Sequence, residues 1–168
     1  MRKIILFAVI FVLLPVVDVL ADFIINQDTT INSGTYGLVD VLGGAKLDYY
    51  GDYIDVLRVE ESSSAAIYGG TVHNIQLGDS ETLYLLGGSI WLLQAQNSTV
   101  HIYGQGITLN PVGNDTYIQG LWGNDIPFSF TAGRTALYNE QFIIHEIPEP
   151  ATSTLLLTAG VFLFRRRR

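Results

Sequence analysis

The chain has 168 residues, with sixteen acids, nine bases and no cysteine, giving a formal charge of −7. The acidic balance argues against nucleic acid or an anionic polysaccharide as a simple electrostatic partner, while divalent cations and neutral glycans stay open. The missing cysteine excludes disulfides, thiolate metal sites and a cysteine nucleophile.

At the N-terminus, Arg2-Lys3 precedes the apolar run Ile4 to Leu14, Pro15 breaks that run, and Val19-Leu20-Ala21 offers modest and small residues to a signal peptidase. Residues 1–21 therefore read as a signal peptide cut after Ala21. Asp18, unusual so near a cleavage site, blurs the position of the cut and not the export.

Residues 22–147 have the length of one ordinary domain. This ectodomain holds three bases (Lys46, Arg58 and Arg134) against fourteen acids, a net charge of −11. Written in rows of eighteen, residues 31 to 120 align without a gap. Ile31, Tyr49, Ile67, Leu85 and Tyr103 form one apolar column, and Val39, Leu57, Ile75 and Leu93 a second. Val41, Val59 and Leu77 form a third, and Tyr36, Ile54, Val72 and Ile90 a fourth. A polar column (Glu61, Asp79, Asn97, Asp115) stands beside a hydroxyl column (Ser62, Ser80, Ser98, Thr116), with Gly43 and Gly44 in those places in the first row.

A fixed period with apolar columns predicts a parallel β-solenoid, in which each coil stacks its strands about 4.8 Å above the last. Apolar and polar residues alternate within each coil, as in Val39-Asp40-Val41, which is the period of a strand. Glycines such as Gly51, Gly69 and Gly87 mark corners. Neither the hexapeptide pattern nor the nonapeptide calcium roll fits these rows, so handedness stays open, and an antiparallel sandwich with evenly spaced hairpins is the competing fold. Ile118 to Glu146 breaks the register. There Phe128-Ser129-Phe130 and Gln141 to Ile144 read as strands around the turn-like Thr131-Ala132-Gly133-Arg134, a cap for the last coil. The predicted fold is all-β, with about five eighteen-residue coils and a C-terminal β cap.

The densest group of reactive side chains is Asp48, Asp52 and Asp55 with Arg58, interleaved with Tyr49, Tyr50 and Tyr53. Clustered acids and tyrosines would suit a glycan groove, and with it a lyase-like or hydrolase-like β-helix enzyme. A solvated acidic edge, with Asp52 replacing a corner glycine, is the plainer account. His73 and His101 fall in different columns and His145 in the cap, so no metal site is assigned. The Asp79, Asn97, Asp115 ladder would offer stacked oxygens to calcium, or simply cap its own corner backbone. An ice-binding face would need ranks of threonine, whereas the column Thr35, Tyr53, Thr71, Ser89, Ile107 is mixed. The leading reading is a non-catalytic structural or adhesive protein, with no catalytic residue and no cofactor.

At the C-terminus, Pro148-Glu149-Pro150 is followed by the mostly apolar Ala151 to Phe164 and by Arg165-Arg166-Arg167-Arg168. Fourteen residues make roughly 21 Å of helix, short of a roughly 30 Å hydrocarbon core, so the segment spans only with snorkelling arginines and a thinned bilayer. Four positive charges on one flank place the C-terminus in the cytoplasm. A buried C-terminal helix ending in a basic tag is the alternative.

This tail, residues 148–168, resembles the PEP-CTERM sorting segment of exported proteins from Gram-negative bacteria that make exopolysaccharide. The resemblance implies an exosortase, a membrane-embedded cysteine transpeptidase, as the partner that processes the chain near Pro148-Glu149-Pro150. It also implies anchoring in the inner membrane through the apolar helix and Arg165 to Arg168, then a place at the cell surface or outside the cell, in association with exopolysaccharide or biofilm. The stretch Tyr117 to Trp122, Ile126-Pro127-Phe128 and Arg134 resembles the final part of many PEP-CTERM ectodomains with repetitive β structure.

Overall fold

The computed structural model describes residues 20–133 and 142–148. The expected transmembrane helix, Glu149, Pro150, Arg165 to Arg168 and all of the expected signal peptide except Leu20 and Ala21 lie outside those residues. Among the described residues every regular element is a strand, and no helix is long and apolar enough to cross a membrane.

Two parallel stacks make the body. One contains β1 (Ala21–Ile25), β3 (Thr35–Val41), β5 (Tyr53–Val59), β7 (Thr71–Leu77) and β9 (Ser89–Ala95). The other contains β2 (Thr29–Ile31), β4 (Lys46–Tyr49), β6 (Ser64–Ile67), β8 (Thr82–Leu85) and the first part of β10 (Thr99–Val112). The chain alternates between the two sheets, which is a parallel β-solenoid of about five coils and not a sandwich of hairpins. Leu57 pairs with Ile75 and Ile75 with Leu93, all fully buried, so residues eighteen apart do stack. The columns of Val41, Val59 and Leu77 and of Ile54, Val72 and Ile90 are likewise buried. Each buried aliphatic side chain of this kind contributes about 1.5–3 kcal/mol, and the columns merge into one continuous core.

The corners explain the glycine columns and the two columns beside them. Gly70 has φ +73°, and a Cβ there would run into the Gly51 carbonyl one coil below. Gly43 and Gly44 also sit in the left-handed region, and one coil on Glu61 (φ 57°) and Ser62 (φ 60°) hold the same conformation despite their side chains. They are held there by bonds between coils: the Gly43 amide donates to Glu61 Oε2 at 2.9 Å, and the Ser62 amide to Glu81 Oε1 at 3.2 Å.

The gap-free period fails once. Leu77 pairs with Ala95, eighteen residues on, but Thr82 pairs with Thr99, only seventeen on. The corner Gly78 to Glu81 has four residues where Gln96 to Ser98 has three. Beyond it every column moves by one residue, so Ile102 and not Tyr103 continues the core column of Leu85. An inward polar column of Ser63, Glu81 and Ser98, all buried, follows the shifted register and cuts across the hydroxyl column of the eighteen-residue rows.

The five coils run from β1 to the first part of β10, so the fifth row of eighteen, residues 103–120, is a hairpin and not a coil, and the register breaks well before Ile118. β10 continues straight to Val112 and returns antiparallel as β11 (Asp115–Leu121). After the one-residue shift the polar Asn110 falls in line with the core residue Leu93, and Pro111 beside it gives a central strand no ladder donor. Gly113 supplies the positive φ that a two-residue hairpin turn requires. β12 (Pro127–Ala132) then pairs antiparallel with β11 and parallel with β9, placing Ala132 against Leu93. β13 (Phe142–Glu146) lies parallel on β10 and closes the second sheet. These strands form the expected cap, and Trp122 pins it: the ring stacks on Phe128 at 3.9 Å and its Nε1 donates to the Gly88 carbonyl at 2.8 Å.

Candidate functional site

In each strand the residues between core positions point outward, so one outward position repeated over the coils becomes a row across the surface. On the second sheet these rows are aromatic. Tyr50 and Tyr68, at the corners after β4 and β6, stack with ring centroids 4.4 Å apart and planes 4° from parallel. Tyr84 on β8 stacks on His101 of β10 at 4.8 Å, and Tyr103 stacks on His145 of β13 at 4.2 Å. The small side chain of Ala66 leaves a hollow of about 390 Å³ among Lys46, Tyr68, Tyr84, Leu86 and Tyr103. Tyr50 and Tyr68 are exposed, while Tyr84, His101, Tyr103 and His145 are half-buried against one another.

The charges at this face are paired at its edge. Lys46 Nζ lies 3.1 Å from Asp48 Oδ1, and that hydrogen bond with the carboxylate charge raises the lysine pKa above its ordinary value. His101 Nδ1 and His145 Nε2 are 2.9 Å apart, so one ring donates to a bare nitrogen of the other. Burial, followed by the charge of His145, holds the His101 pKa below the ordinary histidine value. The face therefore offers flat rings and hydrogen-bonding groups with little net charge.

The acids singled out from the sequence do not share a site. Asp48 stands on the second sheet with Lys46, while Asp52 lies at a corner and accepts from the Gly34 amide at 2.9 Å. Asp55 is on the first sheet, where it accepts from Tyr53 Oη at 3.1 Å and lies 3.0 Å from His73 Nδ1. The bond from His73, then that from Tyr53, lowers the Asp55 pKa. Arg58 joins Asp40 at 3.4 Å and Glu60 at 3.7 Å. Tyr49 is in the core, where burial pushes its hydroxyl pKa up to about 12.

The proposed cation ladder also divides. Asn97 Nδ2 donates to Asp79 Oδ1 at 3.2 Å, whereas Asp115 opens β11. Among the described residues no group of three or more His, Cys, Asp or Glu is placed to hold a metal ion. Of the sorting motif, Pro148 alone is described, exposed just after β13.

The pairing of His101 with His145, and the run of rings through Tyr84 and Tyr103, were missed in the sequence because rows of eighteen put His101 beside Leu83. A signal was present. Thr82-Leu83-Tyr84-Leu85 and Thr99-Val100-His101-Ile102 share a hydroxyl, apolar, aromatic, apolar pattern at a spacing of seventeen. Comparison with protein-family models, with curated proteins and with solved structures found no match to this chain.

Proposed function

We propose that the chain is a non-catalytic exported surface or extracellular-matrix protein whose solenoid lays a neutral exopolysaccharide along the aromatic face of the second sheet. In this reading residues 148–168 are a PEP-CTERM sorting tail. Ala151 to Phe164 and the four arginines hold the protein in the inner membrane until an exosortase processes it near Pro148-Glu149-Pro150.

The observation that carries the glycan reading is the row of outward rings Tyr50, Tyr68, Tyr84, His101, Tyr103 and His145. Sugar rings present apolar C–H faces that lie flat on aromatic rings and hydroxyls that hydrogen-bond at their edges. Coils rise by about 4.8 Å each, comparable with the length of one sugar ring. The ectodomain charge of −11 disfavours an anionic chain. Among the described residues most acids are engaged in corners and ion pairs rather than gathered around one cleft, which favours holding a glycan over cutting it.

Two arms test the proposal. Deleting residues 148–168 should release the protein to the medium, and unchanged membrane retention contradicts the sorting role. The double variant Tyr84→Ala, Tyr103→Ala should lose retention on the neutral polysaccharide of the host while leaving the glycan uncut. Release of reducing ends that Asp52→Asn or Asp55→Asn abolishes would make it an enzyme instead.

A further inference from the structure

A cleft of about 540 Å³ opens where the coil corners meet the cap, on the far side of the Tyr68 corner from the aromatic face. Its size lies within the roughly 300–1,000 Å³ typical of small-molecule sites. Its walls come from three parts of the chain: the corner of Tyr68, Gly69 and Gly70, the start of β9 from Gly88 to Trp91, and the cap from Trp122 to Ser129. We infer that this cleft is a binding site for a neutral pyranose unit, with the Trp91 indole as its platform.

Three observations carry the inference. Trp91 is 69% exposed and Ile126 is 54% exposed, so two large apolar side chains are held in water at the mouth of one cavity. The indole is not loose, since His73 meets it edge-on at 5.0 Å. None of the thirteen lining residues is charged, and Ser89, Asn124 and Ser129 provide hydroxyls and a carboxamide around the platform. That combination of a flat apolar face with neutral donors and acceptors matches a sugar better than an ion, a charged peptide or an uronic acid. The floor is rigid: Trp122 is 2% exposed with its Nε1 committed to the Gly88 carbonyl, and a Cβ on Gly88 would press on the carbonyls of Gly69 and Gly70. Asn124 Oδ1 accepts from the Ile126 amide at 3.4 Å, which sets the carboxamide within the wall.

Tyr68 lines both this cleft and the hollow on the aromatic face. A glycan lying on the face would turn over this corner and seat a residue on Trp91. This continuity rests on the glycan reading above; the cleft's preference for a neutral sugar rests on its own lining.

The chain has two tryptophans, Trp91 and Trp122, and both line the cleft, so tryptophan emission reports on it directly. The full chain, in micelles of the sugar-free detergent lauryldimethylamine oxide, is titrated with cellohexaose, mannohexaose, xylohexaose and hexagalacturonate. At least one neutral hexasaccharide should change the emission saturably, and Trp91→Ala should weaken its calorimetric affinity by about tenfold or more. Trp91 is surface-exposed, so that variant should keep the wild-type melting temperature. Hexagalacturonate should give no change.

Failure of the cleft is distinguishable from failure of the face. No emission change with any neutral hexasaccharide, or tighter binding of hexagalacturonate, overturns the cleft, even where polysaccharide is still retained through Tyr84 and Tyr103. An emission change that needs Trp91 but survives Tyr84→Ala, Tyr103→Ala, together with unimpaired polysaccharide retention by that double variant, upholds the cleft and overturns the role of the face.

Discussion

The coils and the cap solve the same problem by different means. From Thr35 to Ala95 the chain repeats one solution, in which a buried aliphatic residue stacks on its equivalent in the next coil. Beyond Gly104 nothing repeats: an antiparallel hairpin, a returning strand and the stack of Trp122 on Phe128 cover the open end. A coil leans on two neighbours, whereas the cap has one, so its hold rests on a few large aromatic contacts. The two proposed binding surfaces relate to this boundary differently: the rings run from the corner after β4 across the later coils to β13, whereas the cleft is built half from each region.

The comparison breaks most sharply in the central coil. Ile75→Asp buries an unpaired charge between Leu57 and Leu93, at a cost of about 3–5 kcal/mol, enough to unfold a domain of marginal stability. Its neighbour Gln76 points outward, so Gln76→Asp should change stability by less than about 0.5 kcal/mol. Denaturant unfolding of both variants measures the difference, and equal mild effects would mean that the columns do not stack. In the cap, Trp122→Ala removes a buried ring and the bond to Gly88, a truncation that costs about 3–5 kcal/mol in a fully coupled core. The solenoid is a series of neighbour contacts, so this loss should be local: amide exchange should rise in β11 and β12 while β5 and β7 stay protected. Uniform loss of protection would show that body and cap fold as one unit.

A smaller effect arises at the seam where His101 meets His145. The His101 pKa is lowered in the folded chain, so on acidification the unfolded chain takes up this proton first. The neutral ring carries no penalty well above the ordinary value of 6.5, and stability is lost as pH falls through 6.5 towards the lower folded value. The melting temperature should therefore drop between about pH 7.5 and pH 5.5, and His101→Gln should flatten that slope. A slope untouched by the substitution would assign the acid sensitivity elsewhere.

How much of this was legible follows from the same contrast. The coils were, because stacking copies one pattern and the eye needs only the period: Leu57, Ile75 and Leu93 fell into one column from sequence alone. The strands of the cap were legible from Phe128-Ser129-Phe130 and from Phe142 to Ile144, but their partners were not, since antiparallel return and parallel docking leave no period. Asn110-Pro111, a polar residue and a proline where a further coil would need a core strand, was the local sign that the coils end there. The candidate cluster was legible as residue types and not as a place. Tyrosines near acids suggested a glycan surface, yet Tyr49 turns inward and Asp48, Asp52 and Asp55 separate, because alternation along a coil sends neighbouring residues to opposite faces. Trp91 stood out in neither composition nor period, since its cleft exists only once the cap folds over the corner.

The aromatic face depends on one structural fact, the step of seventeen that brings Tyr84 beside His101. The chain has no cysteine of its own, so engineered pairs read that step without interference. Thr82 and Thr99 are direct partners on adjacent strands, with Cα atoms about 4.8 Å apart, inside the span a disulfide bridges. Under mild oxidation Thr82→Cys with Thr99→Cys should cross-link rapidly and almost completely. Thr82→Cys with Val100→Cys, eighteen apart, should not, because Val100 points into the core. The opposite result, cross-linking at eighteen and none at seventeen, would put His101 out of line with Tyr84 and remove the face on which the functional account stands.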